Sequence, residues 1–134
     1  YSSDTSTTSP KGQLSFARSN GGNGAGNSNY GYVIAGFPSG TNNSTLDRID
    51  YANDTATAVQ KGPYFKTNNN WHMAAVGNSS YGYWSGDEAN ASNSSTVGRL
   101  DYSNDTTTAP RVGDLMNNFQ RHSGVSARAN GFPN

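Results

Sequence analysis

The sequence predicts an all-β protein built from short four-stranded repeat units, and three observations carry that prediction. A twelve-residue stretch occurs twice, as Ser44-Thr-Leu-Asp-Arg-Ile-Asp-Tyr-Ala-Asn-Asp-Thr55 and, 51 residues later, as Ser95-Thr-Val-Gly-Arg-Leu-Asp-Tyr-Ser-Asn-Asp-Thr106. Its first half sets Leu46 and Ile49, or Val97 and Leu100, among polar neighbours, as a half-buried strand does. Its second half, Tyr-x-Asn-Asp-Thr, carries side chains that form Asx-turns and end a strand. No window places apolar residues at helical spacing together with capping residues, so no helix of consequence is expected. The chain therefore reads as a repeat protein seen in about two and two-thirds copies.

Taken in order, the opening Tyr1-Ser-Ser-Asp4-Thr5-Ser-Thr7-Thr-Ser-Pro10-Lys11-Gly12 lines up with Tyr51-Ala-Asn-Asp54-Thr55-Ala-Thr57-Ala-Val-Gln-Lys61-Gly62. Residues 1–12 are thus the Thr-rich last strand of a preceding unit. Gln13-Leu14-Ser-Phe16-Ala-Arg18 begins repeat 1, residues 13–62, and a Gly/Asn tract, 20–26, follows it. In repeat 2, residues 63–114, the matching place holds Asn70-Trp71-His72-Met73-Ala74-Ala75-Val76-Gly77. The apolar version reads as a buried inner strand, whereas the glycine version keeps the strand path only with little side-chain packing. A turn and an aromatic strand come next, Asn29-Tyr30-Gly31-Tyr32 closing on Gly36 and Ser80-Tyr81-Gly82-Tyr83-Trp84 closing on Gly86. Polar connections then lead to the two anchor stretches. Thr55-Ala-Thr57-Ala-Val59 and Thr106-Thr-Thr108-Ala-Pro110 are each expected to form a last strand. A partial third copy, 115–134, starts at Leu115-Met-Asn-Asn-Phe119.

The composition demands a small core. Leu, Ile, Val and Phe number 4, 2, 6 and 5, and mean hydropathy is −0.81. Eight Tyr and two Trp supply apolar area in place of aliphatic residues. Seven of the tyrosines (1, 30, 32, 51, 81, 83, 102) sit at repeat-equivalent positions, which argues for packed rings, with Tyr51 and Tyr102 among the buried ones. Nine basic and nine acidic residues give zero net charge, so no field attracts nucleic acid or an anionic membrane, and no apolar run approaches the ~20 residues of a membrane span. Without cysteine there are neither disulfides nor thiolate metal sites. A chain starting at Tyr1 is expected to have been processed or excerpted.

The candidates for chemistry are few. His72 and His122 have no carboxylate or nucleophile at matching spacing and read as strand-end residues bonded to backbone. Asp50-x-x-Asn53-Asp54 and Asp101-x-x-Asn104-Asp105 bring three oxygen-bearing side chains into one turn, the raw material of a Ca²⁺ loop, but such residues also cap turns through their own backbone, and that reading is preferred. Arg48 and Arg99 are expected to pair with Asp47, Asp50 or Asp101 on neighbouring strands. No cofactor and no metal are expected. Among the sequons, Asn43, Asn53, Asn78, Asn93 and Asn104 are candidate glycosylation sites.

Four short strands per copy, a strand closing on glycine, a Tyr before the final turn and an Arg near the first strand (Arg18, Arg121) resemble the kelch-type blade of a β-propeller. Asn-Tyr-Gly-Tyr followed by Ser-Thr-x-Asp-Arg-Ile-Asp-Tyr-x-Asn-Asp-Thr resembles more closely the tandem kelch-like repeats of aquatic bacteriophage and environmental virion or fibre proteins. The pattern is departed from at Ala35-Gly36 and Ser85-Gly86, where a doubled glycine is usual, at Gly98 in place of Asp, and in the glycine tract. Fewer than three copies are too few to close a ring, so a closed monomeric propeller is not expected.

The resemblance implies an extracellular or virion-surface location and a non-enzymatic structural role, as a subunit that polymerises with itself. Where the copies break off, Tyr1, Thr5, Thr7 and Pro10 are expected at a head-to-tail contact in which the N-terminal strand of one subunit completes the sheet of the next. The alternative is a carbohydrate-binding β module of a phage or cell-surface adhesin, in which Tyr30, Tyr32, Tyr81, Tyr83 and Trp84 present their rings to sugars.

Overall fold

The computed structural model describes residues 8–18, 23–34, 36, 44–66, 72–89, 92–119 and 121–126. Over these residues the chain is all β, with eight strands and two single 3₁₀ turns. The strands are β1 (Asn23–Gly26), β2 (Tyr30–Ile34), β3 (Leu46–Asp50), β4 (Val59–Gln60), β5 (Ala74–Gly77), β6 (Tyr81–Ala89), β7 (Ser92–Asp101) and β8 (Arg111–Phe119). They form two antiparallel sheets of identical order, β1-β2-β3-β4 and β5-β6-β7-β8. The 51-residue sequence period is thus one sheet long.

Each copy is shaped by the same local chemistry. At the first hairpin Asn27 Oδ1 accepts from the backbone of Asn29 and Tyr30 at 2.9 and 3.0 Å, and Asn78 Oδ1 accepts from Ser80 and Tyr81 at 2.8 and 2.7 Å. At the end of the anchor strand Asp50 and Asp101 cap the 3₁₀ turns Tyr51–Asn53 and Tyr102–Asn104 through the amides of Ala52 and Ser103, both at 2.9 Å. These are the Asx-turns that the motif predicts.

The Tyr-Gly-Tyr motif has a packing reason. Gly26 pairs with Gly31 across one hairpin and Gly77 with Gly82 across the other. The rings of Tyr51 and Tyr102 lie over these glycine pairs, so that a Cβ at Gly31 or Gly82 would stand 2.8 Å from the tyrosine hydroxyl. Only glycine leaves the ring its place.

The core lies between the sheets. Tyr32, Ile34 and Leu46 of the first meet Trp84 and Leu100 of the second, with Tyr64, Met73 and Ala109 joining them from outside the strands, and Tyr32 stacks on Tyr102 with centroids 4.9 Å apart and planes 8° from parallel. Three aromatic rings head the fully buried side chains, as a chain short of aliphatic residues requires. The glycine tract does keep a strand, since Asn23–Gly26 pairs with β2 along its length.

Several expectations are corrected. The Thr-rich segments after each anchor strand are turns and extended backbone rather than strands, because the Asx-turn side chains hold them, and the last strands begin later, at Val59 and Arg111. The segment expected to open a partial third copy at Leu115 lies within β8, which runs from Arg111 to Phe119 along β7 with register shifts and spans the expected boundary at 114. Tyr51, expected to be buried, is 51% exposed, and among the described residues no ring stacks on it as Tyr32 stacks on Tyr102.

Candidate functional site

The feature with the most concentrated chemistry is the junction between the two copies, and it is built around Asp105. Register places Tyr32 opposite Arg48 on β2 and β3, so both side chains leave the same face of the first sheet. That face meets the turn after Tyr102. The Tyr32 hydroxyl donates to Asp105 Oδ2 at 3.0 Å and Arg48 Nη1 to the same oxygen at 2.8 Å, while Lys61 Nζ stands 3.3 Å from Oδ1. The carboxylate is 7% exposed. Two cations and a phenol therefore satisfy a buried charge whose desolvation would otherwise be costly. Burial first, and the hydrogen bond to Asp105 second, push the Tyr32 phenol well above its ordinary range. For Arg48, burial works against the charge, but Asp105 and Tyr32 outweigh it and the guanidinium is held the more firmly protonated.

Backbone contacts extend the junction. Gly62 N donates to Asp105 O at 2.8 Å, Ala109 N to Pro63 O at 2.8 Å and Phe65 N to Ala109 O at 3.0 Å. A Cβ on Gly62 would collide with the Thr107 carbonyl. The same arrangement occurs one copy earlier: Gly12 N donates to Asp54 O at 2.7 Å, Ala58 N to Gln13 O at 2.8 Å, Lys11 Nζ stands 3.3 Å from Asp54 Oδ1, and a Cβ on Gly12 would collide with the Ala56 carbonyl. Lys-Gly runs over an Asp-bearing turn in both places.

A second buried charge lies beneath β3. Asp47 accepts from Ser15 N at 2.9 Å, Ser15 Oγ at 2.7 Å and Arg18 Nη2 at 2.6 Å, with both ionic side chains almost fully buried. Burial lowers the Arg18 pKa and Asp47 works against that fall. The repeat-equivalent position is Gly98, where the Tyr64 ring fills the space that a Cβ would take and donates its hydroxyl to Trp84 O at 3.3 Å. The departure from Asp at Gly98 is thus a change of filler, an ion pair in one copy and an aromatic ring in the other.

Placed on this frame, the sequence-predicted sites divide. Tyr32 and Trp84 are 0% exposed, so neither presents a ring to a sugar; Tyr32 is committed to Tyr102 and Asp105, and Trp84 Nε1 donates to Asn23 O at 3.0 Å. Tyr30, Tyr81 and Tyr83 are partly buried. Tyr30 and Tyr81 border a polar groove of about 380 Å³ between the two copies, shared with Asp101 and Tyr102. Arg48 pairs with Asp105 of the following copy and not with Asp47, Asp50 or Asp101; Asp47 belongs to Arg18. The oxygens of the Asp-x-x-Asn-Asp turns do not converge: Asp101 takes Ser103, which holds its carboxyl below the usual range, Asn104 takes Thr106, and Asp105 takes the junction.

Asn53 and Asn104 are exposed at the 3₁₀ turns and Asn78 is partly buried in its Asx-turn. Asn43 lies outside the described residues, and of Asn93 only the backbone, in β7, is described. The ring of His122 meets the Ser85 hydroxyl at 3.4 Å rather than backbone, while the His72 carbonyl accepts from Arg121 N at 3.1 Å. Tyr1, Thr5 and Thr7 lie outside the described residues, and Pro10 is exposed and in no strand.

Sequence reasoning did not reach Asp105 as the centre. The available signal was that Asp4, Asp54 and Asp105 recur at the same place in the repeated sequence while Arg48 and Arg99 recur two residues before the capping Asp.

No protein-family model matches the chain, and no curated protein matches it. Among the described residues no helix is long and apolar enough to cross a membrane.

Proposed function

We propose that this chain is a non-enzymatic structural subunit, a module of kelch-like, propeller-type repeats that assembles head-to-tail into an extracellular fibre, filament or virion appendage. The observation that carries the reading is the recurrent junction. Lys11-Gly12 lies over the Asp54 turn as Lys61-Gly62 lies over the Asp105 turn, with the same backbone hydrogen bonds. A contact that repeats with the sequence period can be extended by further copies, which is the logic of stacked repeats. The blade-like comparison is supported by the meander order of both sheets and by the packing of one sheet against the next. Asn53 and Asn104, exposed on equivalent turns, are the glycosylation sites best placed to keep a glycan in solvent.

Strand donation by residues 1–10 is tested by deleting them and examining the product by size-exclusion chromatography and electron microscopy. Loss of polymers is expected, and unchanged polymers would refute strand donation. A carbohydrate-binding module is favoured by one observation, the polar groove that Tyr30 and Tyr81 border. Specific retention on a glycan array, lost on Tyr30→Ala with Tyr81→Ala, would establish that reading in its place.

A further inference from the structure

The junction has two halves, and among the described residues each half occurs once more without its complement. The donor half is Tyr32 with Arg48, a cross-strand pair on one sheet face. Its repeat-equivalent is Tyr83 with Arg99, which register places opposite one another on β6 and β7. The two pairs are posed alike: Arg48 lies over the Tyr30 ring at 4.4 Å and Arg99 over Tyr81 at 4.7 Å, and each ring pair, Tyr30–Tyr32 and Tyr81–Tyr83, meets edge to face at 6.5 and 6.4 Å. Yet Tyr32 is fully buried and Tyr83 is not, and among the described residues no carboxylate lies within ion-pair distance of Arg99. The acceptor half is Tyr102 with Asp105, and its equivalent is Tyr51 with Asp54. Tyr51 is 51% exposed where Tyr102 is stacked, and the Asp54 side chain is 43% exposed with Lys11 as its cation.

We propose that Tyr83 and Arg99 of one copy of this chain dock on Tyr51 and Asp54 of a second copy, reproducing between chains the contact that joins the two sheets within one. The proposal rests on the assembly reading above and names the surface that executes it. Charge is complementary, Arg99 to Asp54, and the contact continues an interface already present. At Asp54 the Lys-Gly part of the junction is supplied by the chain's own Lys11 and Gly12, and what is missing there among the described residues is the tyrosine and arginine that the second sheet offers. Donor and acceptor faces lie on different sheets, so the contact is heterologous and propagates.

The test uses the intact chain in two single variants, Arg99→Glu and Asp54→Arg, with association followed by sedimentation and electron microscopy. Both substitutions are at part-exposed side chains, and unchanged circular dichroism melts confirm that each variant folds. Each variant alone is expected to associate about 30-fold or more weakly than the parent, as when one member of a desolvated interface charge pair is inverted. An equimolar mixture of the two is expected to recover association, because each variant's altered face then meets an opposite charge. If both variants polymerise like the parent, the proposed surface is wrong while head-to-tail assembly by another route stands. A mixture that does not recover association overturns the Arg99–Asp54 pairing. If the parent chain is monomeric at every concentration, the proposal and the assembly reading fail together.

Discussion

At the residue scale, Asp105 governs how the copies hold together. Its carboxylate is buried and faces Arg48, Lys61 and the Tyr32 hydroxyl. Removing one partner of a buried pair leaves the other charges uncompensated, at a cost of about 3–5 kcal/mol. Asp105→Ala is therefore expected to lower the free energy of urea unfolding by that amount. Asp54→Ala, whose ion pair with Lys11 is half exposed, should cost less than about 1 kcal/mol. Equal effects in the two variants would mean that the junction at Asp105 is no more than a surface pair. This residue was legible only in part. The sequence marks the turn as important, because Tyr-x-Asn-Asp-Thr recurs, but a partner 57 residues away on a neighbouring copy is set by the packing of sheets, which periodicity does not encode. Gly98 was opaque for the same reason, since its filler, Tyr64, arrives from outside the aligned stretch.

At the scale of elements, glycines and tyrosines at equivalent positions have different surroundings, and that difference is measurable. Gly62 and Gly113 are 51 residues apart. A Cβ on Gly62 would collide with the backbone of the Thr107 turn, whereas one on Gly113 would meet nothing within 4 Å. Gly62→Ala should destabilise by about 1–3 kcal/mol, as overpacking does, and Gly113→Ala should stay within about 0.5 kcal/mol of the parent. Thermal melts of the two variants decide this. Likewise Tyr102→Ala, which removes a stacked ring, should lower Tm more than Tyr51→Ala, which removes a half-exposed one. The strands themselves were readable where alternation met an Asx-turn, as in β2, β3 and β6. They were misread where Thr-rich alternation imitates a strand, because in both copies the polar side chains bond the turn instead. β8 was missed because Leu115 to Phe119 extends along β7, where the matching residues Tyr64 and Phe65 of the first copy instead pair with Ala109.

At the scale of the whole molecule, the phenols inside the junction make stability depend on alkali. Tyr32 and Tyr102 are both raised above the ordinary phenol, by burial first. A group whose pKa is higher when folded favours the folded state fully below its unfolded value, about 10 for tyrosine, and that contribution is lost as pH rises beyond it. Urea midpoints should hold steady up to about pH 10 and fall above it, and Tyr32→Phe should flatten part of the fall. A midpoint that rises above pH 10 would contradict the burial of these hydroxyls. The all-β class followed directly from the repeat, because the same strand-and-turn grammar appears twice. The way in which one copy binds the next did not, since it rests on which sheet face is left uncovered.

The central claim is that one contact, used within the chain between its two sheets, is used again between chains. A cryo-EM reconstruction of the assembled material tests it most directly. The predicted result is that the rotation and translation relating the second sheet of one chain to the first sheet of the next match those relating the two sheets within a chain, with Tyr83 stacked on Tyr51 as Tyr32 is on Tyr102. A subunit contact with an unrelated transformation, leaving Arg99 and Tyr83 in solvent, would contradict it.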